Sequence, residues 1–530
     1  MTMWVDLGDM LYGGEFSSAK AVERGVRDAL ARNGRPTPIG DSGTPDPFTS
    51  ALRSAWKESA PEAVQGVLRE WNDRTHEATS RRVSIEQRRQ YEHRDDPLPN
   101  ERPSGADGRI SGPPDTDPLR DELFDPQLGL ISNLFRDLNS SGIATVGAEF
   151  RYASAVVTSF GRGDTFEAAE RVAILEMIER HALHDVAGEV HRYPYAGPGY
   201  VDPRALLHFA EKQAKDRVAY RDGDPVLWLR GVHYPSGEPA HVPLQAVELG
   251  HVAEPRYLYE SSSGAAVGSS LSEARLFALL EMIERDAFLV FWIARPQLQR
   301  IDPGSLPGDL GNLVDSARTP QRSIDLFNLT MDIAVPVVLC LIRDEDGPVR
   351  SYLSTASHLD AATAVRLAVD EAVVGHAIYA TNPALAEEFS ATSEVDEMFD
   401  HVHRGASRAF REKYDYLRDS ETVQFDEWAR RYPVTAAGRT ADDILRSLVH
   451  QVSDDTDVYF VDVTTDVSFS HGLFVAKAIV PEMLPMTFGH RHRRINLRRV
   501  RRAIARSGYA GTDLGEERLR EHADDPHPFP

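Results

Sequence analysis

One five-residue string, Glu-Met-Ile-Glu-Arg, is written twice in this chain. EMIERHALHD begins at Glu176 and EMIERDAFLV begins at Glu281. Each lies within a stretch of helical apolar spacing, FEAAERVAILEMIERHALHDVA and LSEARLFALLEMIERDAFLVFWIA. In a helix, residues i and i+3 share a face, and residue i+4 lies beside the first. The first copy therefore groups Glu176, Glu179 and Arg180; the second groups Glu281, Glu284 and Arg285. Their neighbours are mostly Ala, Leu, Ile and Phe, so the carboxylates project from largely buried helices. A desolvated carboxylate is costly unless a cation compensates it. A single copy would read as a surface ion pair worth about 0.3–0.5 kcal/mol. Two copies in matching context read as an internal duplication. Both follow a small-residue stretch, TSFGRGDT or SSGAAVGSS, and then a Glu-Ala pair. The two halves are expected to face each other across one site.

Four carboxylates that converge cannot all stay ionised unaided. Mg2+ resolves the conflict, because it takes oxygen ligands and is typically held by carboxylates together with substrate phosphates. Small-residue loops ahead of helices offer N–H groups to phosphate, and two arginines add positive charge. The residues alone thus point to nucleotide-phosphate chemistry with Mg2+. No Walker A pattern and no kinase HRD–DFG pair occurs.

The chain of 530 residues exceeds one ordinary core. With 41% hydrophobic and 27% charged residues it falls in the soluble globular class. No apolar run reaches the roughly 18 residues of a membrane helix. The opening MTMWVDLGDMLYGG lacks the basic and apolar regions of a secretory signal, so the expected location is the cytoplasm, with no membrane partner. A net charge of −23 repels nucleic acid and excludes it as a partner. One strip, HRHRRINLRRVRRAIAR, runs against that sign; it reads as a solvated or salt-bridged helix face, or as a strip for an anion or peptide. The single cysteine, Cys340, sits in IAVPVVLCLI and reads as a buried strand residue; its isolation excludes internal disulfides and thiolate zinc sites. His181 and His184 read as packing or surface residues. His490 and His492 have the spacing of one strand face, and two ligands do not make a metal site.

Residues 1–117 read as a helical N-terminal segment, AKAVERGVRDALARNG and ALRSAWKESAPEAVQGVLREWNDR, followed by a Pro/Gly-rich linker between His93 and Pro118. Residues 118–530 alternate strand-like and helix-like segments, giving an α/β (α+β) body with a duplicated strand–helix unit.

The paired helices, the SSGAAVGSS stretch with Glu273-Ala274, the segment VPEMLPMTFGHRHRR and the terminal PHPFP together resemble the YcaO-domain family over roughly 118–530. Within it the chain resembles the azoline-forming cyclodehydratase branch, of the streptolysin-type docking-scaffold kind. The resemblance implies ATP and Mg2+ as cofactors. It implies metal contacts from Glu176, Glu179, Glu281 and Glu284. It implies cofactor contacts from Arg162, Arg180, Ser263, Ser269, Glu273, Arg285, Arg366 and Glu371. It also implies a catalytic tail of Pro526, Pro528 and Pro530, whose prolines pre-set an extended shape. The implied reaction converts Cys, Ser or Thr of a ribosomally made precursor peptide to thiazolines or oxazolines, through phosphorylation of the preceding amide oxygen. Implied partners are the precursor, a separate ubiquitin-activating-like protein that binds its leader in trans, and an FMN-dependent azoline dehydrogenase; a homodimer stays open. The family's usual polar residues are replaced by Val172, Leu367 and Val374, its asparagines by Ser263 and Ser269, a glycine by Glu482 and a lysine by Arg162. A degenerate scaffold without ATPase activity and a thioamide-forming enzyme are the alternatives.

Overall fold

The computed structural model describes residues 117–529 apart from 126–128, 140–141, 153–154, 187–188, 208–217, 251–254, 260, 382–393, 433–437, 454–455 and 510–514; ahead of them it describes four strands and Gly105, Gly108 and Arg109. Those strands, β1 (Thr2–Asp6), β2 (Met10–Glu15), β3 (Val67–Asn72) and β4 (Glu77–Arg82), pair in that order as an antiparallel sheet. The end of the second expected helix, VLREWN, is thus strand β3, hydrogen-bonded to neighbours on both sides. Val67 and Trp71 suit a strand as well as a helix, and non-local pairing decides between them. The remainder of both expected helices lies outside the described residues.

The body contains three sheets. β5 (Asn133–Asp137), β6 (Ala144–Tyr152) and β7 (Ala155–Gly163) form an antiparallel sheet, covered by helix α1 (Phe166–His184). β8 (His191–Pro194), β9 (Pro225–Tyr234), β10 (Pro239–Pro243), β11 (Ala265–Gly268), β17 (Val458–Asp462) and β18 (Phe474–Ile479) make the second, ordered β10-β9-β17-β18-β11 with β8 also on β9. The third, ordered β15-β14-β13-β12-β16, consists of β12 (Gln299–Ile301), β13 (Arg322–Asn328), β14 (Val337–Asp344), β15 (Ser351–Ser357) and β16 (Thr422–Val423). The expected mixed body is present, and the expected strand and helix segments within it form. Among the described residues no helix is long and apolar enough to cross a membrane.

The hub is helix α2 (Leu271–Ala294), buried along nearly its whole length. It packs on β11, β18 and β15, and on helices α4 (Ala441–Ser453), α5 (Leu497–Ser507) and α6 (Glu516–Ala523). A helix apolar on all sides belongs inside. Ser270 fixes its start, the hydroxyl accepting the Glu273 N–H at 3.1 Å; Thr165 does the same for α1 from Ala168 at 3.1 Å. Such caps contribute about 1 kcal/mol each. Strand β14 explains the unbroken apolar run around Cys340. Val337, Leu339 and Leu341 face the core that holds α2, whereas Val338, Cys340 and Ile342 face the core under helix α3 (Ala361–Thr381). With period two and both faces covered, no polar position is left until Arg343.

The basic strip resolves into ion pairs. Arg499 bridges buried Asp286 of α2, at 2.5 Å, and Asp332, at 2.5 Å. Arg491 pairs with Asp396, Arg493 with Asp524, Arg498 with Glu482 and Arg501 with Glu516. The salt-bridged reading therefore holds. His490 and His492 lie in a short helical turn and not on a strand. His181 is buried edge-on to Phe150, and His184 lies against Tyr152.

Candidate active site

Each duplicated helix is pinned to the strand before it by a glycine. A Cβ on Gly161 of β7 would lie 1.8 Å from the Ala169 carbonyl oxygen of α1; one on Gly268 of β11 would lie 2.6 Å from the Ala274 nitrogen of α2. Only glycine permits this approach. A backbone N–H from the segment ahead of the helix then reaches the first glutamate in both halves. The Phe160 N–H donates to Glu176 Oε2 at 3.2 Å, and the Gly264 N–H donates to Glu281 Oε2 at 3.2 Å. Each of these glutamates also pairs with the arginine one turn on: Arg180 at 3.3 Å and Arg285 at 3.6 Å. The duplication read in the letters is a duplication of hydrogen bonds.

The acid faces of the two helices lie within each other's field. Burial pushes the Glu179 carboxyl well above the usual range, and the charge of Glu281, from the other helix, pushes it further. Lys477 of β18 lies within the field of both. Its ammonium donates to the carbonyls of Ser261, at 2.5 Å, and Ser263, at 2.8 Å. Burial pulls Lys477 down to about 7 against the attraction of Glu281 and Glu179. The sequence reading missed this residue; the lone charge in FVAKAIV was its signal. Glu284 is held from the third sheet, accepting from Thr355 Oγ1 at 3.0 Å and the Ser357 N–H at 2.9 Å, with Arg285 at 3.0 Å. Burial pushes its carboxyl up to about 7, against the guanidinium of Arg285 and aided by the charge of Glu371.

The other expected residues divide. Arg162 and Glu371 approach to 3.7 Å, joining β7 to α3 beside the acid cluster. Arg366 turns instead to Asp370, at 2.9 Å, and Asp164. Along a helix i+4 shares a face and i+5 does not, so Asp370 and not Glu371 meets Arg366. The Ser269 hydroxyl donates to Glu273 Oε2 at 2.7 Å, at the first turn of α2. Ser263 Oγ accepts from the Ser261 hydroxyl at 3.0 Å and the Met486 N–H at 3.1 Å, a loop-building role. Val172 and Leu367 are exposed, and Val374 is buried.

Residues 160–484, more than half of the chain, match the family described as YcaO cyclodehydratase, ATP- and Mg2+-binding. The chain belongs to the YcaO family. ATP and Mg2+ are its cofactors accordingly. A solved heterocyclase in complex with substrate and cofactor superposes with a TM-score of 0.73 at 19% identity, covering 98% of this chain and 76% of the other. YcaO from Methanopyrus kandleri, bound with AMPPCP and Mg2+, gives 0.52 at 19% identity over 67% of this chain and 86% of the other. An uncharacterized protein in the tfuA 3' region of Rhizobium leguminosarum bv. trifolii is 34% identical over 24% of this chain; the match spans only 31% of that relative's length. An uncharacterized Methanothermobacter thermautotrophicus protein is 24% identical over 61% of this chain and 80% of its own.

The acid cluster fits the YcaO metal. Among the described residues no three His, Cys, Asp or Glu side chains form a ready cage. Mg2+ needs none, since it keeps waters and phosphate oxygens beside one or two carboxylates. Carboxyls held protonated-prone by burial and by each other, as Glu179 and Glu284 are, are groups that a cation would ionise.

The YcaO tail reaches this cluster. Asp525 is gripped by Arg295 at 2.7 Å, Arg404 at 3.5 Å and Lys413, while Trp292 Nε1 donates to its carbonyl at 2.8 Å. His527 stacks on His401 with ring centroids 4.0 Å apart. His401 Nδ1 donates to the His527 carbonyl at 2.7 Å, and the Gly489 N–H donates to His401 Nε2 at 3.2 Å. Pro528 covers Gly405, where a Cβ would meet it at 2.5 Å. Phe529 is buried 4.8 Å from the Phe288 ring, and the Arg285 guanidinium lies 4.6 Å above it. Pro526 precedes this packed part; Pro530 lies outside the described residues.

Proposed function

We propose that this protein catalyses ATP-dependent cyclodehydration of Cys, Ser or Thr in a precursor peptide to thiazolines or oxazolines. One observation carries the reading: the C-terminal Phe529 lies under Arg285, the arginine that pairs with Glu281 and Glu284. A tail held by three cations and a histidine stack, and delivered to the acid cluster, is built for use. In the proposed reaction the side-chain sulfur or oxygen bonds to the preceding carbonyl carbon. The carbonyl oxygen takes the γ-phosphoryl group of ATP, releasing ADP, and then departs as phosphate. The amide nitrogen closes the C=N bond, and the amide and nucleophile protons are lost.

Bound Mg2+ supplies charge neutralisation at the phosphates. Glu176, Glu179, Glu281 and Glu284 are the residues that would hold it, with Arg180 and Arg285 steadying phosphate or the glutamates. Lys477 holds the 261–263 loop against the acids. The tail walls the site on the side of Arg285 and excludes water. Leader recognition is assigned to a separate ubiquitin-activating-like protein, and oxidation to azoles to an FMN-dependent dehydrogenase. A structure that shares the fold at a TM-score of 0.52 is an E. coli microcin synthetase complex with pro-MccB17 bound.

The test is incubation with partner protein, precursor and ATP, followed by mass spectrometry and phosphate assay. Peptide losing one water per ring, in step with phosphate release, is expected. Phosphate release without dehydration would refute the reading. Neither, with tight partner binding, would favour a scaffold without ATPase activity.

A further inference from the structure

Most of the Pro/Gly-rich linker lies outside the described residues, yet Gly108 and Arg109 are seated against α2. Gly105 and Gly108 close a turn: the Gly105 N–H donates to the Arg109 carbonyl at 2.7 Å, and the Gly108 N–H donates to the Gly105 carbonyl at 3.1 Å. Gly108 has φ +81° and is buried; a Cβ there would lie 2.7 Å from Leu359 Cδ1. Only glycine both takes that conformation and fits that space. The turn delivers Arg109. Its guanidinium donates to Glu273 Oε1 at 2.8 Å and lies 4.2 Å from the centre of the Phe277 ring. The other carboxylate oxygen of Glu273 accepts from Ser269. Glu273 is almost fully buried.

Its position gives the carboxylate a role. Glu273 lies on the same helix as Glu281, about 12 Å earlier at the rise of an α-helix. A nucleotide whose phosphates sit at Glu281 and Glu179 reaches this far with its ribose and base. A buried, oriented carboxylate at that distance is suited to accept from ribose hydroxyls. We propose that Arg109 is a positioning residue of the nucleotide site: it holds Glu273 for the nucleoside, so the linker sets the affinity for ATP. This rests on the acid cluster being the phosphate site. Arginine suits the task because its planar fork can pair with a carboxylate and stack on a ring at once, which an ammonium cannot do.

Calorimetric titration of the full chain with the Mg2+ complexes of a non-hydrolysable ATP analogue and of inorganic tripolyphosphate tests this. Arg109→Ala is expected to weaken the ATP analogue about tenfold, the loss of one charge-assisted bond, with tripolyphosphate unchanged. Arg109→Lys recovers part of the loss. Glu281→Gln serves as control and is expected to weaken both ligands. If Glu281→Gln weakens both while Arg109→Ala weakens neither, the inference fails and the phosphate site stands. Equal weakening of both ligands by Arg109→Ala would mark a general structural defect and overturn it. If Glu281→Gln changes neither ligand, the phosphate-site reading itself is lost.

Discussion

The two copies of Glu-Met-Ile-Glu-Arg share sequence, a backbone donor to the first glutamate and an arginine one turn on, but not surroundings. In α2, Glu284 is tied to Thr355, Ser357 and Arg285, and Arg285 carries the Phe529 ring. In α1, the matching Glu179 accepts no hydrogen bond among the described residues and instead faces Glu281. Arg180 pairs with Glu176 and, among the described residues, has no aromatic ring above it. One half is thus fastened to the body and to the tail; the other presents a carboxylate that, among the described residues, accepts no hydrogen bond and is compensated only by the charges of Arg180 and Lys477. A duplication of this kind lets one set of letters take two tasks, because burial and partners, not residue type, decide what a glutamate does.

The largest expected effect tests the fastened half. Deleting Phe529 and Pro530 removes the ring beneath Arg285 while leaving Asp525 and its cations in place. Ring formation should fall by at least about 100-fold, the scale of a misplaced catalytic constellation, while the lost burial of one ring, about 3–5 kcal/mol, lowers the melting temperature by only a few degrees. Unaltered product yield would make the two halves equivalent in function and remove the tail from the mechanism.

The next effect tests the presenting half. Glu179→Gln relieves a buried carboxyl and its repulsion from Glu281. The ligand-free protein should melt about 1 °C higher for each kcal/mol relieved, yet Mg·ATP affinity should fall about 10–100-fold. Glu284→Gln should instead lower the melting temperature, since it disturbs bonds already made. Stability changes of the same sign in both variants would abolish the asymmetry.

How much of this was legible follows from the range of each interaction. The acid faces were readable because helical spacing is local: Glu176, Glu179 and Arg180 come together whatever the rest of the chain does. The alternating strands and helices were readable for the same reason. Lys477 was hidden because its neighbours Ser261 and Ser263 are brought to it by the pairing of β18 with β11, a register that no short window contains. Arg109 was hidden because composition marks its segment as linker, and the seat at Leu359 and Glu273 is a tertiary fact. The bond of Arg366 to Asp370, one helical turn on, follows from the same local spacing. In the N-terminal region VLREWN fitted either period, and its partners chose the strand.

A smaller effect probes the tail through pH. Burial holds His401 down at about 4 and His527 well below its ordinary value. A histidine kept neutral in the fold binds fewer protons than in the unfolded chain. Its contribution to stability is therefore fully present above about 6.5 and is lost as pH falls through that value toward 4. The stack of His401 on His527 and its bond to the His527 carbonyl tie that loss to the tail. Exchange of the His527 and Phe529 amides should rise on acidification in this window before α1 loosens. His401→Gln, which cannot take up a proton, should lessen the pH dependence, leaving the share that His527 carries, while weakening the tail modestly at neutral pH. Exchange in α1 rising together with the tail would mean that acid acts on the whole body, and the tail would no longer distinguish one half of the duplication from the other.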